Sequence, residues 1–300
     1  VILISHSMGG LVCRTASEVL GGRGRILGIV HGVQPVNGTP AAYWRIKAGF
    51  EGFDKFGFLQ KALGNSGPKV TVILGNIPGG LELLPNKLYR PTADRADWLH
   101  ITEDGTTLLA LPRADPYEEI YRVKAEVHPK KGENPSTNTY WGLIDPALLN
   151  PRRVVGEGNE FDGLSADEYD PWANYLGLLK IAETLHDDLS PPTGPKQHPQ
   201  TLCISGTGRH TATVVELRLE SNWGRSDPYP NQGFRGLLHD DAGHNRQAVL
   251  QDPADDGDGT VPLLSAIAVD VSRRPLPGDR LFDVGHQSAY SDAHVRRWAE

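Results

Sequence analysis

With 300 residues, 38% of them hydrophobic, the chain can bury a sizeable core and hold one large domain or two small ones. A net charge of -7 without a basic run argues against nucleic acid or another polyanion as a partner. Two cysteines, Cys13 and Cys203, are too few for a disulfide framework and read as free buried thiols; no apolar run reaches membrane-spanning length, so contact with a membrane or lipid surface is expected to be peripheral.

The first ten residues, Val1-Ile2-Leu3-Ile4-Ser5-His6-Ser7-Met8-Gly9-Gly10, read as a buried strand, a sharp turn and the start of a helix. Four consecutive aliphatics suit a parallel strand covered on both faces. A serine on the turn after such a strand adopts a strained backbone and needs small residues two before and two after it. Ser5 and Gly9 fill those places, with Ser5 where glycine is usual. Leu11, Val12, Ala16, Val19 and Leu20 give the following helix its apolar face, and Gly21-Gly22 ends it. This layout holds the Ser7 hydroxyl clear of the backbone, where a histidine can take its proton. It also aims the Met8 N–H at the place where an acyl oxyanion develops. A chance Ser-x-Ser-x-Gly turn would not explain the aliphatic strand before it and the amphipathic helix after it.

Because the chain starts inside that strand, the strands that usually precede such an elbow are expected to be absent. An open, apolar, aggregation-prone sheet edge is expected in their place, without the second oxyanion donor of an upstream loop. A signal peptide is neither visible nor excluded, which leaves cytoplasmic and exported locations open.

Arg25-Ile26-Leu27-Gly28-Ile29-Val30-His31 reads as the next parallel strand, and residues 31–40 as a loop at the carboxyl edge of the sheet, with His31 as packing. From 41 to 198 helices and loops prevail with few strand signals, a pattern read as an inserted, mainly helical cap. In it, Tyr43-Trp44-Arg45-Ile46 opens a helix, 70–74 is an ambiguous apolar run, and 77–85 is a turn and a short helical turn. Trp98, Tyr117, Tyr121, Tyr140 and Trp141 are read as core rather than as the lining of an acyl groove. Asp170-Pro171 starts the clearest helix, with Trp172, Tyr175, Leu176, Leu179, Ala182 and His186 on one face. A proline-rich linker, 190–199, leads back to the sheet, so that 1–40 and 199–300 form the core. There, 201–206 is a strand and 211–219 a β-like run. The loop with His239, Asp240, Asp241 and His244 meets no metal-ligand spacing, and no metal is assigned.

The acidic stretch 252–262 has the alternatives of a solvated loop, a calcium loop or the carboxylate of a catalytic triad; the calcium spacing fails. The triad reading needs a carboxylate beyond a strand and a histidine further on, in the order serine, acid, histidine. Arg280-Leu281-Phe282-Asp283-Val284-Gly285-His286 supplies that histidine, before a helix over 292–298. His294 is the fallback, but it falls within the helix.

Ser5-His6-Ser7-Met8-Gly9-Gly10, Leu83-Leu84-Pro85, Ser205-Gly206-Thr207-Gly208, Gly257-Asp258-Gly259-Thr260-Val261-Pro262 and His286-Gln287-Ser288-Ala289-Tyr290 together resemble the α/β-hydrolase lipases, most of all the lecithin:cholesterol acyltransferase group. The resemblance implies an α/β fold with a parallel sheet and flanking helices. It implies Ser7 as nucleophile, Asp258 as acid, His286 as base and the Met8 N–H in the oxyanion hole, with Asp256 and Asp255 as lesser candidates for the acid. It further implies a lipid or other hydrophobic ester as substrate, no cofactor, and either water or a lipid alcohol as acyl acceptor. A weaker likeness, through Val30-His31-Gly32 and the cap helices, is to bacterial lipases delivered as toxins. The reading from a different class is a catalytically silent hydrolase-like scaffold that binds a ligand or partner.

Overall fold

The computed structural model describes residues 1–49, 67–125, 139–151, 169–191, 193, 196–220, 236–239, 245–250, 255–268 and 281–299. Asp240, Asp241 and His244 of the loop weighed as a metal site lie outside these residues, as do Pro192, Gly194 and Pro195 of the linker. Elements are numbered in chain order. β1 (Ile2–His6), α1 (Gly9–Glu18) and β2 (Gly28–Gly32) form the expected strand, helix, strand unit. With β5 (Thr201–Gly206) and β11 (Leu281–Phe282) they give a four-stranded parallel sheet in the order β1-β2-β5-β11.

Register sorts the side chains of this sheet into two faces. Ile4, Val30 and Leu202 lie in one row across the strands, and Ser5, His31 and Cys203 form the next row on the opposite face. The first face packs Val30, Ile204, Val284, Ala289 and Val295 into one apolar cluster, with Leu202, Phe282 and Tyr290 against it. That cluster covers the central strands and stops short of β1. The expectation that 1–4 are buried on both faces is therefore corrected: Val1, Ile2 and Ile4 are 71%, 65% and 63% exposed. Among the described residues β1 is the outer strand of this sheet, paired only with β2, and Val12, Leu20 and Leu27 are exposed around it. Neither cysteine forms a disulfide, and both are partly exposed rather than buried.

A second sheet differs from the sequence expectation more sharply. β3 (Leu99–Glu103) and β4 (Thr106–Leu111) make an antiparallel hairpin inside the region read as a mainly helical cap. Asp104 and Gly105 join them with φ values of 47° and 78°, the positive pair that a two-residue hairpin turn requires. β7 (Val215–Glu220), β8 (Gly236–His239) and β9 (Asn245–Leu250) extend it to five strands in the order β4-β3-β7-β9-β8. Strands from both sides of residue 199 thus share a sheet, β3 from the region 41–198 read as a cap and β7 from the core read as 1–40 and 199–300. β6 (Arg209–Thr211) and β10 (Asp255–Gly257) form a separate antiparallel ribbon, and the short α6 (Leu263–Ala266) follows the acid loop.

Helices α2 (Pro40–Ala48), α3 (Gly67–Leu74), α4 (Pro78–Leu81) and α5 (Pro171–Leu189) pack with this second sheet around the largest apolar cluster. The ambiguous run 70–74 is helical and buries Val70 and Leu74 there. Trp98, Tyr117, Tyr121 and Tyr140 are at most 1% exposed, so they are core. A buried phenol needs a hydrogen-bond partner. Tyr43, Tyr121 and Tyr175 donate to the carbonyls of Trp141, Pro85 and Tyr121 at 2.7 to 2.8 Å.

α5 begins as its sequence predicts. The Asp170 carboxylate accepts from the N–H groups of Trp172 (2.9 Å) and Ala173 (3.2 Å), and Pro171 fills the first helical position. The inward face carries Tyr175, Leu179, Ala182 and His186 as expected, and also Glu183, which is 5% exposed. Burial pushes the Glu183 carboxyl up, but hydrogen bonds from Lys87 (2.8 Å), Arg122 (2.7 Å) and Lys180 (3.1 Å) outweigh it and hold the pKa at about 2. Replacing Asp170 with alanine removes the cap of this helix, and the expected loss is about 1 kcal/mol of unfolding free energy. Urea denaturation should show a lower midpoint at an unchanged m value.

Candidate active site

Ser7 follows β1 at the tip of the turn into α1, with φ 54°. A serine in the left-handed region is under strain, and the strain is held by bonds on either side. Its N–H donates to the Gly32 carbonyl at 2.9 Å, and its own carbonyl accepts from Gly10 N–H at 2.9 Å. Small neighbours make room. A Cβ on Gly9 would lie 3.6 Å from Ser5 Cβ, an ordinary contact, whereas one on Gly10 would lie 2.5 Å from the Gln34 side chain. The tighter demand for glycine thus falls one residue later than the sequence suggests. Ser5 in the usual glycine position is explained by a partner: its Oγ lies 2.9 Å from His31 Nδ1 across the strands.

The structure brings Ser7, His286 and Asp258 together from three distant parts of the chain. His286 Nε2 is 2.8 Å from Ser7 Oγ, and His286 Nδ1 is 2.8 Å from Asp258 Oδ2. Asp258 is 3% and His286 5% exposed. The other oxygen of Asp258 accepts from the N–H groups of Thr260 (2.8 Å) and Val261 (2.6 Å), and its carbonyl accepts from His286 N–H at 2.7 Å. Gly206, at the end of β5, permits this close approach. A Cβ there would meet Asp258 Cβ at 2.6 Å and the Val284 carbonyl at 2.7 Å. The loop after β2 buttresses the acid loop from the other side, through Thr39 Oγ1 to the Thr260 carbonyl and Ser265 Oγ to the Gly38 carbonyl.

Met8 is the N-cap residue of α1, at the end of the helix where backbone N–H groups have no intrahelical acceptor. Its side chain is 39% exposed, and a Cβ on Gly79 would lie 3.5 Å from its sulfur, so the 78–81 turn borders the site. The other candidates are directed elsewhere. Asp256 is exposed and accepts from Gly208 N–H at 2.6 Å; Asp255 is exposed and bonded to Thr213. His294 is exposed on α7 (Ala293–Ala299). Two residues that sequence reasoning gave no part in the site join the serine strand to the loop of His286. His6 Nε2 is 2.7 Å from the His286 carbonyl, and the Tyr290 hydroxyl donates to the Ser5 carbonyl at 2.8 Å. Among the described residues, no group of three or more His, Cys, Asp or Glu side chains could hold a metal ion, and no helix is long and apolar enough to cross a membrane.

Two further histidines are buried and neutral. Burial, then the nearby Arg14 charge, lowers the pKa of His31 to about 3. Burial also lowers that of His186 to about 4, against a hydrogen bond with the Glu82 carbonyl that raises it. In the unfolded chain both titrate near ~6.5. Between those values the unfolded state binds protons that the folded state refuses, so stability is lost as pH falls below about 6.5. Urea unfolding from pH 7 to 5 is expected to show a falling midpoint, and His186→Gln should make the dependence shallower.

A chain in the crystal structure of the Tle4–Tli4 complex is similar over 99% of this chain, with a TM-score of 0.69 and 26% sequence identity, and this chain spans 58% of that chain's length. No family model and no curated protein matches the sequence. The chain therefore has an α/β fold similar to that solved structure, with the serine turn, the acid loop and the histidine loop at the carboxyl ends of the strands of its parallel sheet.

Proposed function

We propose that this chain carries the catalytic centre of a serine ester hydrolase acting on acyl esters of lipids. The observation that carries the proposal is the unbroken hydrogen-bond relay from Asp258 through His286 to Ser7, with 2.8 Å at both links. In this reading Ser7 Oγ attacks the acyl carbonyl while its proton passes to His286 Nε2. Asp258 keeps the Nδ1–H tautomer and stabilises the imidazolium. The tetrahedral oxyanion takes a hydrogen bond from Met8 N–H, favoured by the dipole of α1. Collapse breaks the ester bond, His286 returns the proton to the departing alcohol, and Ser7 is left acylated. A water molecule then gives its proton to His286, attacks the acyl carbon and releases the fatty acid, with the same proton going back to Ser7.

The preference for a lipid substrate rests on the sequence resemblance. If a lipid alcohol replaces water in the second half, the same residues perform an acyl transfer. Product analysis with and without an alcohol acceptor separates the two. The chain that this one resembles was crystallised in complex with Tli4, so a protein partner belongs to the proposal as well. A silent binding scaffold would have no need of a serine held in a strained turn beside a base.

The first test is labelling of the full-length protein with a fluorophosphonate, followed by mass spectrometry. An adduct on Ser7, abolished in Ser7→Ala, is expected; folded protein without an adduct, also in the presence of detergent or lipid, would favour the scaffold. On a chromogenic acyl ester, Asp258→Asn should lower kcat by roughly 10³- to 10⁴-fold, since it leaves the wrong imidazole tautomer. Asp256→Asn should stay within about threefold of the parent, because that carboxylate has no bond to His286; a larger loss there than at Asp258 would move the acid.

A further inference from the structure

A relay at hydrogen-bond distance works only if the base is held still, and the side-chain bonds of His286 do not by themselves fix its backbone. His286 lies on the loop between the short β11 and α7, and the loop returns to the serine strand at two points. His6, one residue before the nucleophile, has Nε2 at 2.7 Å from the His286 carbonyl. A carbonyl only accepts, so the Nε2 nitrogen of His6 carries the proton and donates. Four residues beyond the base, Tyr290 sends its hydroxyl to the Ser5 carbonyl at 2.8 Å. One bond runs from elbow to loop and the other from loop to elbow, and the two residues they engage there, Ser5 and His6, are Ser7's own flank.

The packing agrees with a built brace. The His6 ring centroid is 5.1 Å from that of His286 and 6.3 Å from that of Tyr290, tilted to both by about 55°. Tyr290 reaches its place only because residue 32 lacks a side chain: a Cβ on Gly32 would lie 2.6 Å from the phenol ring and hydroxyl. Gly32 is also the residue whose carbonyl holds Ser7 N–H. Base loop, serine backbone and the end of β2 therefore meet at one point.

We infer that His6 is a positioning residue for the Ser7–His286 proton transfer, acting through its Nε2–H bond to the His286 carbonyl, with Tyr290 as the reciprocal brace. The inference rests on the proposed serine hydrolase reading. His6 touches neither substrate nor the transferred proton. Its loss lets the base loop drift from the serine, which lowers the rate of acylation without altering how the acyl chain is bound.

The test compares full-length parent, His6→Phe, His6→Gln, Tyr290→Phe and Ser7→Ala by kcat, KM and rate of fluorophosphonate labelling, with circular dichroism for folding. His6→Phe keeps a ring but no donor, and kcat and labelling rate should fall about 10- to 100-fold with KM within about twofold, the range expected for a misplaced catalytic group. His6→Gln places an amide N–H near the position of Nε2 and should restore kcat to within about fivefold of the parent. Should His6→Phe fail to fold, Tyr290→Phe, which removes one oxygen, carries the test with an expected loss of several-fold in kcat and none in KM. Parent-like kcat in His6→Phe, or equal losses in the phenylalanine and glutamine variants, would overturn the role of His6 while Ser7 dependence stood. Activity that survives Ser7→Ala would instead remove the hydrolase reading, and the role of His6 with it.

Discussion

The left-handed backbone of Ser7 is the constraint on which the rest of the site depends. Such a conformation costs a serine on the order of 1–3 kcal/mol, and it persists only where its surroundings leave no alternative. Here the surroundings are specific. The Gly32 carbonyl takes the Ser7 N–H, Gly10 is pressed against Gln34, and α1 starts directly after the turn. The next loop in space is strained as well: Val33, fully buried and β-branched, has φ 49° and donates its N–H to the Ile204 carbonyl. Two unfavourable conformations side by side at the ends of β1 and β2 bring the two loops together, and the hydroxyl stands out between them as a result.

Around this point the molecule is divided by task. The parallel sheet supplies positions: Ser7 and His286 follow its strands β1 and β11, and Asp258, which follows β10 of the separate ribbon, is seated against Gly206 at the end of β5, so that residues up to 279 apart in sequence meet. The bulk of the apolar core lies elsewhere, between the second sheet and helices α2 to α5. Loop 37–39 connects the two: Asn37 and Gly38 engage Ser265, Thr39 caps α2 and bonds the Thr260 carbonyl, and the Leu83 carbonyl accepts from Thr39 N–H. A packing change in the larger core therefore has a short path to the loop that holds Asp258.

The sequence was readable where a local rule applied. An aliphatic run before Ser-x-Gly-Gly, and Asp-Pro before a 3.6-residue apolar period, act over a few residues and needed no knowledge of the rest of the chain. The order serine, aspartate, histidine was legible because topology keeps it. Where partners were remote, the text was silent. Leu99–Glu103 looks weak as a strand on its own and becomes one beside Val215–Glu220, more than a hundred residues on. The one local signal there is Asp104-Gly105, a strong hairpin turn. Glu183 reads as a solvent-facing residue until its three cationic partners are placed around it. His6 belongs to the quoted motif, but its partner is 280 residues away and is a main-chain oxygen, which leaves no mark in side-chain identity.

The sole methionine of the chain stands directly beside Ser7, with 39% of its surface open and its sulfur next to the 78–81 turn. Isotope labelling of its methyl group would place one isolated nuclear resonance at the mouth of the site, free of overlap from any other residue of its kind in this chain. The same atom makes the candidate site vulnerable: conversion of the thioether to a sulfoxide would set a polar, chiral group beside Ser7, so that an oxidant could alter the mouth of the site without touching the serine.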